Sequence, residues 1–366
     1  MVENKLPPLN IGKHTYKYPI VQGGMSVDIA GVELFLAVIK EGGLSFLGGV
    51  GAGYNSDYFQ KQHLPFFIAD RFALRDKLHQ IKESNPEADP AVNLLCAASD
   101  YDQLVITAVE NGAKIIASGA GLPLNLPKLT AEHPDVAIIP IVSSVQGVRI
   151  ICQRWWRNDK RLPDAIVIEN PKTAGGHLGL TPKQNIDDEE FKPEIAIPES
   201  LSWLEDFKKK IGMGGANIPI IAAGGIWDRG DLDRALGLGA SAVQMGTRFV
   251  CTKECDAPLA FKEKYLKAKQ DDIILIKSPV GIPGRAIKTE FLEEVSRGEI
   301  EDYCVANCLS SCDLRKFGKT YCIIQALARV AEGRVEEGVT FAGSNAWRSK
   351  EQGIIPVHQI FEELVG

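Results

Sequence analysis

Residues 218–250 read IPIIAAGGIWDRGDLDRALGLGASAVQMGTRFV. An apolar, β-branched run (218–225) stops at paired glycines, an amphipathic stretch (228–237) follows, and a second apolar run (242–249) is broken by another glycine. A strand that is apolar throughout is covered on both faces, as in a parallel sheet under helices, whereas alternation would leave one face in water. The same unit recurs upstream. Apolar runs fall at 19–25, 44–50, 91–97, 113–120, 136–144 and 164–170, with amphipathic stretches at 30–40, 101–111 and 145–157 between some of them. Eight such units within about 230 residues fit an α/β chain closed as a (β/α)8 TIM barrel, whose usual size is roughly 250 residues. A doubly wound open sheet is the competing arrangement, and the regularity of the units favours closure.

Two segments fall outside the repeat. Residues 55–89 are too long for one strand-to-helix connection and are expected to carry extra helices over the barrel mouth. After the eighth run comes a Lys-rich helical pattern (257–270) and then a Pro/Gly-punctuated stretch (277–285). This predicts a small excursion domain over 251–320, with 15–250 and a helical return, 321–366, forming the barrel.

The 366 residues carry 41 Lys+Arg against 47 Asp+Glu, a formal charge of −6, and are 45% apolar and 24% charged. That balance excludes a disordered chain. The longest apolar runs, such as 136–145, include Pro and Ser and are about half the length a membrane helix needs, so no membrane partner is expected. No basic stripe is present, so no nucleic-acid partner is expected either. The N-terminal MVENKLPPLN lacks the basic start and apolar core of a secretory signal, which predicts a cytoplasmic protein. The partner expected is a small-molecule substrate. A homodimer is left open, because nothing in the chain reports its oligomeric state.

In such a barrel the chemistry sits where the strands end. The first run ends in Gln22-Gly23-Gly24-Met25, the seventh in Ala222-Ala223-Gly224-Gly225-Ile226, and the eighth in Gln244-Met245-Gly246-Thr247-Arg248. Glycine turns after strands seven and eight, feeding helix N-termini with Asp228 as a cap, make a phosphate cradle. Residues 48–53, GGVGAG, give Gly-x-Gly-x-Gly and not the dinucleotide spacing. The sixth run leads into Glu169-Asn170-Pro171-Lys172-Thr173-Ala174-Gly175-Gly176-His177-Leu178-Gly179. An imidazole in a glycine-rich loop at that rim is the candidate acid–base group. The other five histidines have no such setting and no metal-ligand spacing.

These four motifs, in this order from about residue 19 to 285, resemble the nitronate monooxygenase family, formerly 2-nitropropane dioxygenase. That family includes flavin enoyl-acyl-carrier-protein reductase II and NADH:quinone reductases. The resemblance implies an FMN-containing barrel in which Gly24, Met25 and Asn93 contact the flavin ring, with Gly175 and Gly176 beside it. Gly225, Gln244, Gly246 and Thr247 would bind the phosphate, and Gly224 and Met245 would be further cofactor contacts. Glu169 occupies the acidic or amide position before the His177 loop, and Ser118 and Ser143 add polar contacts. His177 would be the catalytic residue. The implied activity is oxidation of alkyl nitronates with O2. The alternatives are an NAD(P)H-dependent reductase of enoyl thioesters or quinones, towards which residues 278–285 incline, and a flavin-binding protein without catalysis.

Four cysteines, Cys304, Cys308, Cys312 and Cys322, are spaced C-x3-C-x3-C-x9-C. Close cysteines in a cytosolic chain suggest metal or redox chemistry before disulfides. A 4Fe-4S cluster, a zinc ion and plain packing all stay open here.

Overall fold

The computed structural model describes residues 6–180, 184–318 and 320–366. Eight parallel strands follow the eight apolar runs: β1 (Ile20–Gln22), β2 (two halves, Leu44–Ser45 and Leu47–Gly48), β3 (Ala91–Leu95), β4 (Ile115–Gly119), β5 (Ala137–Val142), β6 (Ile166–Glu169), β7 (Ile220–Ala223) and β8 (Ala242–Met245). The first half of β2 pairs with β1 and the second with β3, and β8 returns to β1. The two ends of the sheet are therefore one strand, broken only at Phe46, and the barrel closes. Its strands are buried almost without interruption, as continuous apolar runs require. A hairpin, Leu9–Ile11 with His14–Tyr16, lies at the N-terminal ends of the strands, where His14 Nδ1 meets Asp89 at 2.7 Å.

The long segment after β2 differs from the expectation. Its 19-residue helix, Phe66–Ser84, packs between the helices Val32–Lys40 and Tyr101–Glu110 as an ordinary wall helix. The apolar stripe Ala69, Ala73, Leu74, Leu78 and Ile81 faces inward and holds it there. Only the start of the segment, with Tyr54, Phe59, Phe66 and Phe67, reaches the material at the mouth. Asp70 on this helix also accounts for residues 48–53. Its buried carboxylate accepts the amides of Gly51 (3.0 Å) and Gly53 (2.9 Å), so the glycine loop cradles the protein's own anion.

Beyond β8 the chain forms a helix, Leu259–Lys267, and two antiparallel strands, β9 (Ile273–Lys277) and β10 (Pro283–Ile287). A second apolar core is gathered there, separate from that of the barrel. It draws on Phe291, Leu292, Tyr321, Ile323, Ile324 and Val339, and reaches Val27 and Phe66 near the mouth. The last helix, Val357–Val365, packs between Val32–Lys40 and Arg229–Gly237 and completes the wall. Among the described residues no helix is long and apolar enough to cross a membrane.

Candidate active site

Strand ends, the His177 loop and the C-terminal segment enclose a cavity of about 270 Å3 at the C-terminal face of the barrel. Gly24, Met25, Asn93, Glu169, Gly175, Gly176, His177, Gly224, Gly225, Gln244, Met245, Gly246 and Thr247 all line it. Ser118 does not. Side chains alternate along a strand, and while Gly119 meets the cavity, Ser118 faces the wall helices and is fully buried against the Tyr101 hydroxyl, 2.9 Å away. Ser143 is likewise buried and off the cavity.

The glycines are required by geometry. Gly224 and Gly225 turn with φ of +88° and +80°, which side-chain-bearing residues rarely adopt. A Cβ on Gly224 would stand 2.7 Å from the Asn170 carbonyl, and one on Gly225 would stand 2.8 Å from Thr173 Oγ1. A Cβ on Gly24 would collide with Asn93, and one on Gly175 with the backbone of Ala342. The floor and rim are thus bare backbone. The helix Arg229–Gly237 is already capped, because Asp228 and Asp231 exchange a capping box. An anion at this end would therefore meet the glycine-turn amides rather than that helix N-terminus.

The C-terminal segment closes the same end. Asn345 Nδ2 donates to the Gly225 carbonyl (2.8 Å), the Gly343 amide donates to Thr247 Oγ1 (2.8 Å), and Arg348 pairs with Asp228 (2.8 Å). Sequence reasoning missed these residues. The small, polar run at 343–345 (Gly, Ser, Asn) was the available signal, but nothing local to it names its target.

On the opposite side, Gly176–His177 forms a short strand on β10, with Gly176 opposite Arg285 and His177 opposite Gly284. The excursion therefore positions the His177 loop. Arg285, itself buried, donates to the carbonyls of Pro171 (3.0 Å) and Ala174 and ties down the loop's start. His177 Nε2 meets Ser278 Oγ at 2.8 Å, and its ring packs edge-on against Phe341 with centroids 4.8 Å apart. Tyr265 donates to the Phe341 carbonyl and holds that residue in place. Burial pushes the imidazole down to about 4, so His177 is neutral at pH 7. Burial also raises Glu169 to about 7, against the pull of Arg285. Leu327, Val330, Val339 and Phe341 add an apolar wall.

A closed parallel barrel with this rim defines an α/β-barrel oxidoreductase. The chain belongs to the nitronate monooxygenase family, whose model matches residues 8–366. Members of this family are flavin enzymes that use FMN. A probable nitronate monooxygenase of Staphylococcus saprophyticus is 27% identical over 336 residues, covering 85% of this chain and 87% of its own. A Mycobacterium tuberculosis (3aS,4S,5R,7aS)-5-hydroxy-7a-methyl-1-oxo-octahydro-1H-indene-4-carboxyl-CoA dehydrogenase is 27% identical over 282 residues, covering 77% and 66%. Among solved structures, FabK from Thermotoga maritima superposes with a TM-score of 0.70 at 26% identity, covering 96% of this chain and 92% of that one. The nitroalkane oxidase of Streptomyces ansochromogenes shares the fold, with a TM-score of 0.68 at 18% identity over 95% of each chain.

Proposed function

We propose that this protein is an FMN-dependent oxidoreductase that oxidises alkyl nitronates with O2, with His177 as its catalytic residue. The cavity suits FMN on structural grounds. Its surfaces at Gly24, Gly175, Gly224 and Gly225 leave no room for a Cβ, and two glycine turns offer backbone amides where a phosphate would lie. Bound there, FMN supplies the electron-transfer chemistry, and the protein positions it and sets the local electrostatics. Gly24, Met25 and Asn93 would face the ring, Gly224, Gly225, Gln244, Met245, Gly246 and Thr247 the phosphate end, and Glu169, Gly175 and Gly176 the ring's flank.

The neutrality of His177 carries the substrate reading. A nitronate arrives as an anion and needs no proton removed; a neutral imidazole can donate an N–H hydrogen bond to it without the desolvation cost of a buried cation. Reduction of an enoyl thioester calls for a proton donor beside the hydride acceptor. A histidine held near 4 has lost its imidazolium proton at pH 7 and is a poor donor. Ser278 Oγ, bonded to Nε2, fixes the ring so that its other nitrogen is the one left for substrate.

A second reading, an NAD(P)H-dependent reductase of enoyl thioesters or quinones, is favoured by the apolar wall of Leu327, Val330, Val339 and Phe341 and by the likeness to FabK. Anaerobic visible spectra separate the two. Bleaching of the flavin bands by an alkyl nitronate alone supports the monooxygenase; rapid bleaching by NADH or NADPH alone transfers the assignment to the reductase. A protein that takes up FMN and responds to none of these donors is a binding protein without catalysis.

A further inference from the structure

We propose that the apolar half of the cavity, formed by Val27, Leu327, Val330, Val339 and Phe341, receives an uncharged, unbranched aliphatic tail of the nitronate, and that Val27 limits how bulky that tail can be. The proposal rests on the reading of this cavity as a nitronate-oxidising FMN site. Phe341, edge-on to the His177 ring, begins this half, and the other four continue it. Val27, Val339, Leu327 and Phe341 belong to or pack against one apolar core, so the surface they offer is continuous. A substrate whose reacting end lies at His177 has its tail among carbon side chains.

The lining holds no charge for a second anionic group. Among the described residues it includes no Lys or Arg, its one carboxylate is Glu169, and His177 is neutral at pH 7. A tail ending in a carboxylate would be desolvated there with no countercharge, whereas every methylene buried there is favourable.

Val27 is held in this wall against its backbone preference. It sits at φ +54° and Asp28 at +61°, and a β-branched residue in the left-handed region is an outlier. The surroundings fix the turn. The Val27 amide donates to the Val50 carbonyl (3.3 Å), the Ala30 amide donates to the Met25 carbonyl (2.9 Å), and Asp28 pairs with Lys77 on the wall helix Phe66–Ser84. A Cβ on Gly51 would stand 2.8 Å from Ile324 and 2.9 Å from Val27, so these two side chains converge over Gly51 and join the β1 loop to the helix Ile323–Ala331. Strain of this kind persists where neighbours over-determine it, and it concentrates at ligand clamps. The helix is equally fixed, because Ile324, Ala326 and Ala328 are buried in the second core. Cys304, Cys308, Cys312 and Cys322 lie in or against the same core, and among the described residues no three metal-ligating side chains are gathered, so this wall stands on side-chain packing.

The test uses the FMN-loaded full chain and ligands that need no turnover: unbranched primary amides from butanamide to nonanamide, titrated by calorimetry. Kd should fall about fourfold per added methylene until the tail fills the subsite. An amide with a terminal carboxylate should bind at least about 100-fold more weakly than the uncharged amide of equal length. A methyl branch at mid-chain should weaken binding to wild type about tenfold, and Val27→Gly should abolish that penalty. If Val27→Gly does not fold, Leu327→Trp at the half-buried position across the wall takes its place, and should cancel the gain from the longer chains. Alkyl nitronates of the same lengths should follow the same order in kcat/KM. Chain-length dependence among the amides with no nitronate reducing the flavin would overturn the nitronate reading and keep the subsite. Affinity independent of chain length, equal binding of the carboxylated amide, or selectivity unchanged in the variants would each overturn the proposal.

Discussion

The two sides of the cavity are built by opposite means. The glycine side, Gly224–Gly225 and Gly246–Thr247, comes from turns immediately after neighbouring strands, and its shape is set within a few residues. The His177 side is assembled from distant chain: His177 meets Ser278, 101 residues away, and Phe341 further still. The first is a property of the barrel that a side chain at Gly224 or Gly225 disrupts. The second depends on the excursion being folded and docked. The glycine side should therefore govern cofactor retention, and the His177 side turnover.

The largest effect expected is on turnover. His177→Ala should keep FMN yet lower turnover roughly 100-fold or more, the range lost when one preorganised hydrogen-bond donor is removed. A variant that loses FMN instead would erase the distinction between the two sides. Gly225→Ala should do the reverse. Its positive φ and the contact with Thr173 force the turn to move, so FMN should bind at least about tenfold more weakly, some 1.4 kcal/mol, with turnover per bound flavin less affected. Equilibrium titration with FMN, followed by assay at saturating cofactor, reads both.

Ser278→Ala sharpens the comparison, because Ser278 does not line the cavity and would act only through His177. FMN content should be unchanged, kcat should fall by about tenfold, and the pH profile should move as the imidazole loses its partner. Ser278→Thr should restore part of the loss. A change in KM alone would mean that Ser278 shapes the wall and does not position the ring.

What the sequence disclosed follows the same division. Each barrel strand is a continuous apolar run, and each glycine motif sits at the end of one, so the fold class and the glycine turns that line the cavity could be read from short windows. The place of His177 on the cavity could be read because its loop is glycine-rich and follows a strand. Ser118 was misplaced because a shift of one residue turns a strand side chain from cavity to wall, and composition does not carry that phase. Asn345, Phe341 and the role of Ser278 depend on pairings over long separations, which no local pattern specifies. The helix Phe66–Ser84 was misassigned to the mouth because length was weighed without its apolar stripe, which marks it as wall.

The smallest expected effect, and the one that links the two sides, concerns Glu169. It ends β6 just before the His177 loop, and burial raises it to about 7 while Arg285 opposes the rise. In the unfolded chain the same carboxyl ionises near its ordinary 4.5. Below that pH it is protonated in both states and adds no pH dependence. Between about 4.5 and 7 the unfolded chain releases a proton that the folded protein keeps, so ionisation progressively favours unfolding, and the cost is fully present above about 7. Glu169→Gln removes the ionisation while keeping the shape. The melting temperature of the variant relative to wild type should therefore be higher at pH 8 than at pH 4.5 by a few degrees, measured on FMN-free protein. A difference that does not change with pH would mean that Arg285 already offsets the burial of the carboxylate. In that case the link between β6 and the excursion is an ion pair at every working pH, and His177 stands on a charged rather than a neutral foundation.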